Sequence, residues 1–251
     1  MSEVLATRQD GALWLRIHRP DHGNALAPST LAALEDGLDG LEVDDRAVVV
    51  TGTGDVFCAG ADVRAAAGML DDEEALLAFM DRASSLLTRL ESLPVPTLAA
   101  INGLTMAGGL ELALACDLIV AADDAPIGDG HTPHGFIPAW GTTARLPRRA
   151  GRGMATWLLA SGRPVPAAQL VACGLVNEVV PAERLDQRVR ERLGELGAAC
   201  PMALAESLRL ARAATSQGLE EALTAERAAF IRQMGRQELR DGVGRFGRPP
   251  A

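Results

Sequence analysis

Between residues 12 and 18 apolar and polar side chains alternate, the period of a strand with one wet face. Pro20-Asp21-His22-Gly23-Asn24 then breaks the pattern with loop chemistry. Leu31, Leu34, Leu38 and Leu41 recur at helical spacing and predict a helix over 29–41, opened by Pro28 or Ser29. The short β-branched run 47–51, flanked by Gly52 and Gly54, predicts a buried strand. A helical pattern over 71–92 follows and ends at Pro94 and Pro96. A second strand–turn–helix unit comes next: an apolar strand over 97–101, a turn at Asn102-Gly103, and a helical stretch over 108–116 carrying Leu110, Leu112 and Leu114. Another strand is predicted over 117–122. Strand alternating with helix through short loops places the first 150 residues in the α/β class. From Ala150 onward the pattern is mostly helical, over 154–161, 167–173, 185–199, 203–214 and 219–233. The chain therefore divides into an α/β core over 1–190 and a helical C-terminal subdomain over 191–251.

Composition narrows the chemistry. All 24 basic residues of the 251 are arginine, and tyrosine is absent. A lysine Schiff base, a P-loop lysine and a tyrosine acid or nucleophile are thereby excluded. Acid–base work falls to Asp, Glu, Cys and four histidines, His18, His22, His131 and His134. A net charge of −9 argues against nucleic acid as the main ligand, because phosphate binding needs a basic field. Cys58, Cys116, Cys173 and Cys200 have neither CxxC nor zinc spacing. Cys116 and Cys58 read as packed thiols, since one sits in an apolar run and the other has no evident base beside it. No apolar run reaches membrane-spanning length and the N-terminal residues carry no signal-peptide core, so the cytoplasm is the expected address.

Two segments concentrate the candidate chemistry, Phe57-Cys58-Ala59-Gly60-Ala61-Asp62 and Met106-Ala107-Gly108-Gly109-Leu110-Glu111. Each is a small-residue turn between a predicted strand and a helical stretch. Small residues let a ligand approach the backbone, and amides at a helix start are ready donors to negative charge. One such turn is ordinary packing. Two of them, the second with a carboxylate three residues after Gly108, suggest an oxyanion hole if both donate to one oxygen.

These residues resemble the crotonase (enoyl-CoA hydratase/isomerase) superfamily. Arg19-Pro20 with Asn24-Ala25-Leu26 resembles its opening motif, and the two glycine turns, the second continuing to Cys116-Asp117, resemble its oxyanion segments. Gly135-Phe136-Ile137-Pro138, Gly141-Thr142 and Arg145-Leu146-Pro147 resemble its G-x-x-P-x-x-G-x-x-x-R-L stretch, and 168–180 its A-x-x-x-G-L-V-x-x-V-V segment. The resemblance implies a crotonase-like spiral of repeated ββα units whose helical C-terminal subdomain takes part in trimerisation, giving a homotrimer or a hexamer. It implies an acyl-CoA substrate, coenzyme A entering as part of that substrate, with no separate cofactor and no metal. It implies that the Ala61 and Gly108 amides bind the thioester oxygen and that Glu111 is an acid/base. Arg19, Ala25, Leu26, Ala59, Asp62, Val63 and Gly109 are then substrate- or CoA-binding candidates. Arg19, Arg64, Arg245 and Arg248 are candidates for the phosphates, and the acyl pocket is expected to take walls from 64–81 and from the C-terminal helices. On this reading Glu111 lies in a first helical turn, where the dipole favours the carboxylate and suits a general base. The leading expectation is hydration of a trans-2-enoyl-CoA; double-bond isomerisation, thioester hydrolysis, C–C cleavage, or acyl-CoA binding with little turnover are open on the same scaffold.

One departure stands out. The hydratases carry a second catalytic glutamate before the Gly135 motif, and its position here holds His131, within Ile127-Gly128-Asp129-Gly130-His131-Thr132-Pro133-His134. Imidazole exchanges a proton near neutrality, so His131 is a candidate partner for Glu111. Asp129 either orients it or takes the role itself, and the alternative for His131 is a fixed hydrogen bond in the wall. A metal held by Asp129, His131 and His134 is disfavoured, because Gly130 and Pro133 oppose the helix that would bring two imidazoles together.

Overall fold

In the computed structural model, which describes residues 2–245 (the side chain of residue 245 excepted), β1 (Val4–Gln9) and β2 (Ala12–Ile17) form an antiparallel hairpin turned at Asp10-Gly11. Helix α1 (Pro28–Asp39) follows and buries Leu31, Leu34 and Leu38. Three turns of one plan come next. Each lays a buried strand into a large sheet, a strand of three residues into a small one, and then a helix. The first is β3 (Ala47–Gly52), β4 (Val56–Cys58), the short α2 (Val63–Ala67) and α3 (Glu73–Ser92). The second is β5 (Thr97–Ile101), β6 (Leu104–Met106) and α4 (Gly108–Leu114). The third is β7 (Leu118–Ala122), β8 (Pro126–Gly128) and α5 (Thr142–Ser161). The strands β9 (Val165–Pro166) and β10 (Glu178–Val180) complete the sheets, and α6 (Leu185–Gly197) ends the first unit. The expected spiral of repeated ββα units is therefore present.

The large sheet runs β1-β2-β3-β5-β7-β10, parallel from β2 onward, and the small one β4-β6-β8-β9. Parallel strands covered on both faces are apolar throughout, as 47–51 already indicated. Their period-2 alternation sorts two cores. Leu13, Leu15, Val48, Val50, Ala99 and Ile101 face α1, α3 and α4, while Trp14, Val49, Leu98 and Val120 face Leu185, Val189 and Leu193 of α6.

The chain departs from its sequence pattern after Ala150. Residues 167–173 are a single 3-10 turn, Ala167–Leu170, followed by turns rather than a longer helix. Beyond it β10 pairs parallel with β7 and closes the sheet edge. Helix α5 starts well before 154 and is broken at Gly151 (φ 73°, ψ 159°), which masked its length. By contact, the chain separates into Met1–Gly197 and Ala198–Ala251, so the expected division at 190/191 falls inside α6, whose buried leucines and valine belong to the sheet. The second unit holds α7 (Pro201–Ala214), α8 (Leu219–Gln233) and α9 (Gln237–Arg245). Among the described residues no helix is long and apolar enough to cross a membrane.

Candidate active site

Two asparagine-centred clamps, one buried and one half-buried, shape the first glycine turn. Asn24, fully buried at φ +52°, accepts from the Arg19 amide (2.9 Å) and donates to the carbonyls of Thr53 (3.0 Å) and Val56 (2.6 Å). Asn102 accepts from the Gly52 amide (3.0 Å) and donates to the Gly54 carbonyl (2.6 Å). Thus fixed, β4 delivers Ala59-Gly60-Ala61 against Leu26. The Leu26 amide donates to Gly60 (2.8 Å) and the Asp62 amide to Leu26 (2.9 Å), which leaves the Ala61 amide outside the ladder. The second turn ends in Ala107 at φ 48°, ψ −117°, a conformation costing a residue with a Cβ about 1–3 kcal/mol. It opens α4, and the Gly108 amide, first in the helix, has no helical acceptor. The two turns adjoin: a Cβ on Gly108 would stand 3.1 Å from the Ala61 nitrogen and 2.5 Å from the Trp140 ring. Only glycine fits there.

One turn into α4, Glu111 is 1% exposed. Its Oε1 accepts from the Trp140 amide (2.8 Å) and the Thr142 amide (3.0 Å), at the entrance of α5. Burial pushes its pKa up, and the two amides with the His131 charge only partly offset that. Glu111 lies in the first turn of α4, as expected, but that helix has only seven residues and desolvation is the largest influence on the carboxyl. His131 follows β8 at the head of a 3-10 turn, Thr132–His134, which the Thr132 hydroxyl ties to the Leu159 carbonyl (2.6 Å). Fully buried Asp129 engages it twice, Oδ2 accepting from the His131 amide (3.2 Å) and Oδ1 from Nδ1 (2.9 Å). Burial draws the imidazole pKa down, but the Asp129 bond and charge, with the Glu111 charge, carry it above the ordinary histidine value. Nε2 is the remaining ring nitrogen.

A cavity of about 650 Å³ brings these groups together: Ala59, Ala61, Val63, Gly108, Glu111 and His131 all line it. Leu70, Leu76, Phe79 and Met80 supply walls from the expected 64–81 stretch, and Trp140, packed edge-on to Phe79 at 5.5 Å, a further one. Asp129 does not reach the cavity; with both oxygens on His131 it orients that ring, which removes it as the acid/base itself. Gly109 packs instead, since a Cβ there would overlap the Cys58 carbonyl. Ala25 and Leu26 are buried behind the first turn. Arg19 is committed to the Ala25 carbonyl (2.5 Å), Asp62 (2.9 Å) and Glu3 (3.4 Å), so its guanidinium ties the loop together rather than meeting a phosphate. Asp62 also caps α2 through the Arg64 and Ala65 amides. Arg64 is exposed beside cavity-lining Val63, whereas the Arg245 side chain and Arg248 lie outside the described residues. The Cys58 thiol is buried and pushed up to about 12 by desolvation, which makes it inert. Among the described residues no group of three His, Cys, Asp or Glu side chains is placed to hold a metal ion.

Fold and cavity define an α/β spiral with a carboxylate and an imidazole at one apolar cavity, next to two adjoining backbone turns. The chain belongs to the enoyl-CoA hydratase/isomerase family, whose model matches residues 7–248. It is similar to the crotonyl-CoA hydratase of Syntrophomonas wolfei, 32% identical over 263 residues, covering 97% of this chain and 94% of that one. It is also similar to the 2,3-dehydroadipyl-CoA hydratase of Escherichia coli K12, 30% identical over 248 residues, covering 98% and 96%. Among solved structures, an enoyl-CoA hydratase from Bacillus anthracis superposes with a TM-score of 0.92 at 31% identity, covering 97% of this chain and 95% of that one.

Proposed function

We propose that this protein adds water across the double bond of a trans-2-enoyl-CoA. The Ala61 and Gly108 amides hold the thioester oxygen, and Glu111 and His131 divide the proton transfers. Attack at the β carbon places charge on the thioester oxygen, and preset donors there are worth about 3 kcal/mol each in comparable sites. Glu111 as carboxylate takes the proton of the attacking water. His131 as imidazolium, held in register by Asp129 through Nδ1, gives a proton to the α carbon from Nε2; the proton taken by Glu111 then returns to His131 through solvent, which resets both groups and balances the turnover. The observation that carries the reading is the opposed pair itself: a buried carboxylate and a carboxylate-oriented imidazole line one cavity, and each charge favours the other. Coenzyme A enters as part of the substrate, with no separate cofactor; we place the enzyme in the cytoplasm as a homotrimer or a dimer of trimers.

Loss of the enoyl-thioester absorbance of crotonyl-CoA tests this directly. Glu111→Gln lowers kcat by about 10³-fold while binding of the thioester persists. A rate unchanged in that variant removes Glu111 from the mechanism. Binding without turnover in the wild type leaves the scaffold as an acyl-CoA-binding protein.

A further inference from the structure

The two amides that hold Glu111 belong to a segment, Trp140-Gly141-Thr142, gripped from its far side. Arg145 donates from Nη1 to the Trp140 carbonyl (2.6 Å). The rest of its guanidinium is closed by a two-pronged pair with Glu91, Nε to Oε1 and Nη2 to Oε2, both 2.6 Å. Such a pair fixes the plane of the cation as well as its position. Its own amide donates to the Gly141 carbonyl (2.8 Å), so main chain and side chain of Arg145 bind consecutive peptides. Gly141 stands at φ +116°, and a Cβ there would overlap the guanidinium. The turn thus has glycine at 141 with the guanidinium packed beneath it. On its other side the Trp140 and Thr142 amides aim at one oxygen of Glu111.

We propose that Arg145, clamped by Glu91, is the positioning residue for the Glu111 carboxylate: it fixes the Trp140–Thr142 turn so that both amides stay on Oε1. The inference rests on the acid/base reading of Glu111 for its catalytic meaning, though not for its geometry. Lysine cannot replace it, because one ammonium cannot reach both Glu91 oxygens and the Trp140 carbonyl in a fixed plane. The charged groups about Glu111 are His131 with Asp129 behind it, and Arg145 with Glu91 behind it. The Arg145 pKa lies above its ordinary value; the Glu91 bond is the main cause, burial opposes it, and the charges of Glu91 and Glu111 add to it. The charge of Glu111 thus reaches the cation.

The test is a carbon-13 titration of the Glu111 carboxyl in the full chain, alongside the pH profile of kcat/KM and the melting temperature. In Arg145→Gln the turn loses its cation and loosens, so the Glu111 midpoint and the acid limb both rise, by about one pH unit. Arg145→Lys keeps a charge and gives a smaller rise in the same direction. If the glutamine variant fails to fold, the lysine variant carries the test. A midpoint that stays at the wild-type value in a folded variant, with only the melting temperature lowered, makes Arg145 a plain anchor of α5 and overturns the proposal. The titration needs no substrate. A shifted midpoint in a protein that hydrates no enoyl-CoA supports the positioning role while removing the acid/base reading.

Discussion

Burial and fixed donors pull Glu111 in opposite directions, and the outcome sets a pH dependence. Its folded pKa lies above the ordinary 4.5, so activity that needs the carboxylate fails as pH falls through that raised value. His131 lies above its ordinary 6.5, so activity that needs the imidazolium fails as pH climbs through the raised value. The expected kcat/KM profile is a bell whose two limbs both sit higher than free side chains would give. Asp129→Asn removes the charge that raises His131 and weakens the bond to Nδ1, which moves the basic limb down by about one pH unit and leaves the acid limb nearly in place. A basic limb indifferent to residue 129 separates His131 from the chemistry. Gly108→Ala is harsher, since the added methyl meets the Trp140 ring and crowds the Ala61 amide. Turnover is expected to fall at least 10²-fold with little change in the circular dichroism spectrum. At this scale the candidate site was legible where chemistry is carried by residue type, as with Glu111, His131 and the glycine turns. It was illegible where contact joins distant positions. Glu91 and Arg145 are 54 residues apart, and neither carries a local mark of pairing with the other. Arg19 sits in the opening motif, but only coordinates reveal that Asp62 and the Ala25 carbonyl have claimed its guanidinium.

Element by element, the strands β3, β5 and β7 and the helices α1 and α3 follow from periodicity, because the strands are buried on both faces and the helices on one, whereas the break at Gly151 hid the first half of α5. The small sheet left no such trace. Its strands β4, β6, β8 and β9 have two or three residues each, too few for a period to register, and what selects them is pairing across turns of the spiral. β10 was hidden for a similar reason, being three half-buried residues held by β7. These missed elements place the site: β4 and β6 deliver the two glycine turns side by side, and β8, paired with β6, delivers His131 to the same cavity. The helix α6 has the contrary role. Its Leu185, Val189 and Leu193 cover the sheet face of Trp14 and Leu98, while cavity-lining Phe79 and Trp140 belong to the other core. Leu193→Ala is therefore expected to destabilise the fold by about 2–4 kcal/mol in urea titrations. The kcat/KM of the folded enzyme stays within about twofold of wild type, because packing changes on the far face leave the positioned amides alone. A catalytic loss matching the loss of stability would mean that the sheet transmits strain to the glycine turns.

At the scale of the whole molecule the second unit poses a question of cover. Among its described residues Ala229 alone is buried, while Leu219, Leu223, Phe230 and Met234 stand more than half exposed. Their spacing of four, seven and four residues puts them along one face of α8 and its cap, a stripe of the kind that buries against another surface. An open groove of about 470 Å³ runs beside the first two, floored by Leu219 and Leu223 and edged by Glu220, Thr224 and Arg227. An apolar stripe of this length left in water is unfavourable at about 25 cal/mol per Å² of area that a partner could cover. Copies of the same chain are the partner that the proposed trimer or hexamer supplies. Light scattering at micromolar concentration should then give three or six times the mass of the chain. Leu223→Asp with Phe230→Asp places two charges in the stripe and is expected to yield smaller species of largely unchanged helical content, since both side chains are already more than half exposed. A wild-type chain that scatters as a monomer at these concentrations would sink the assembly, and the α8 stripe would then need some other surface to cover it.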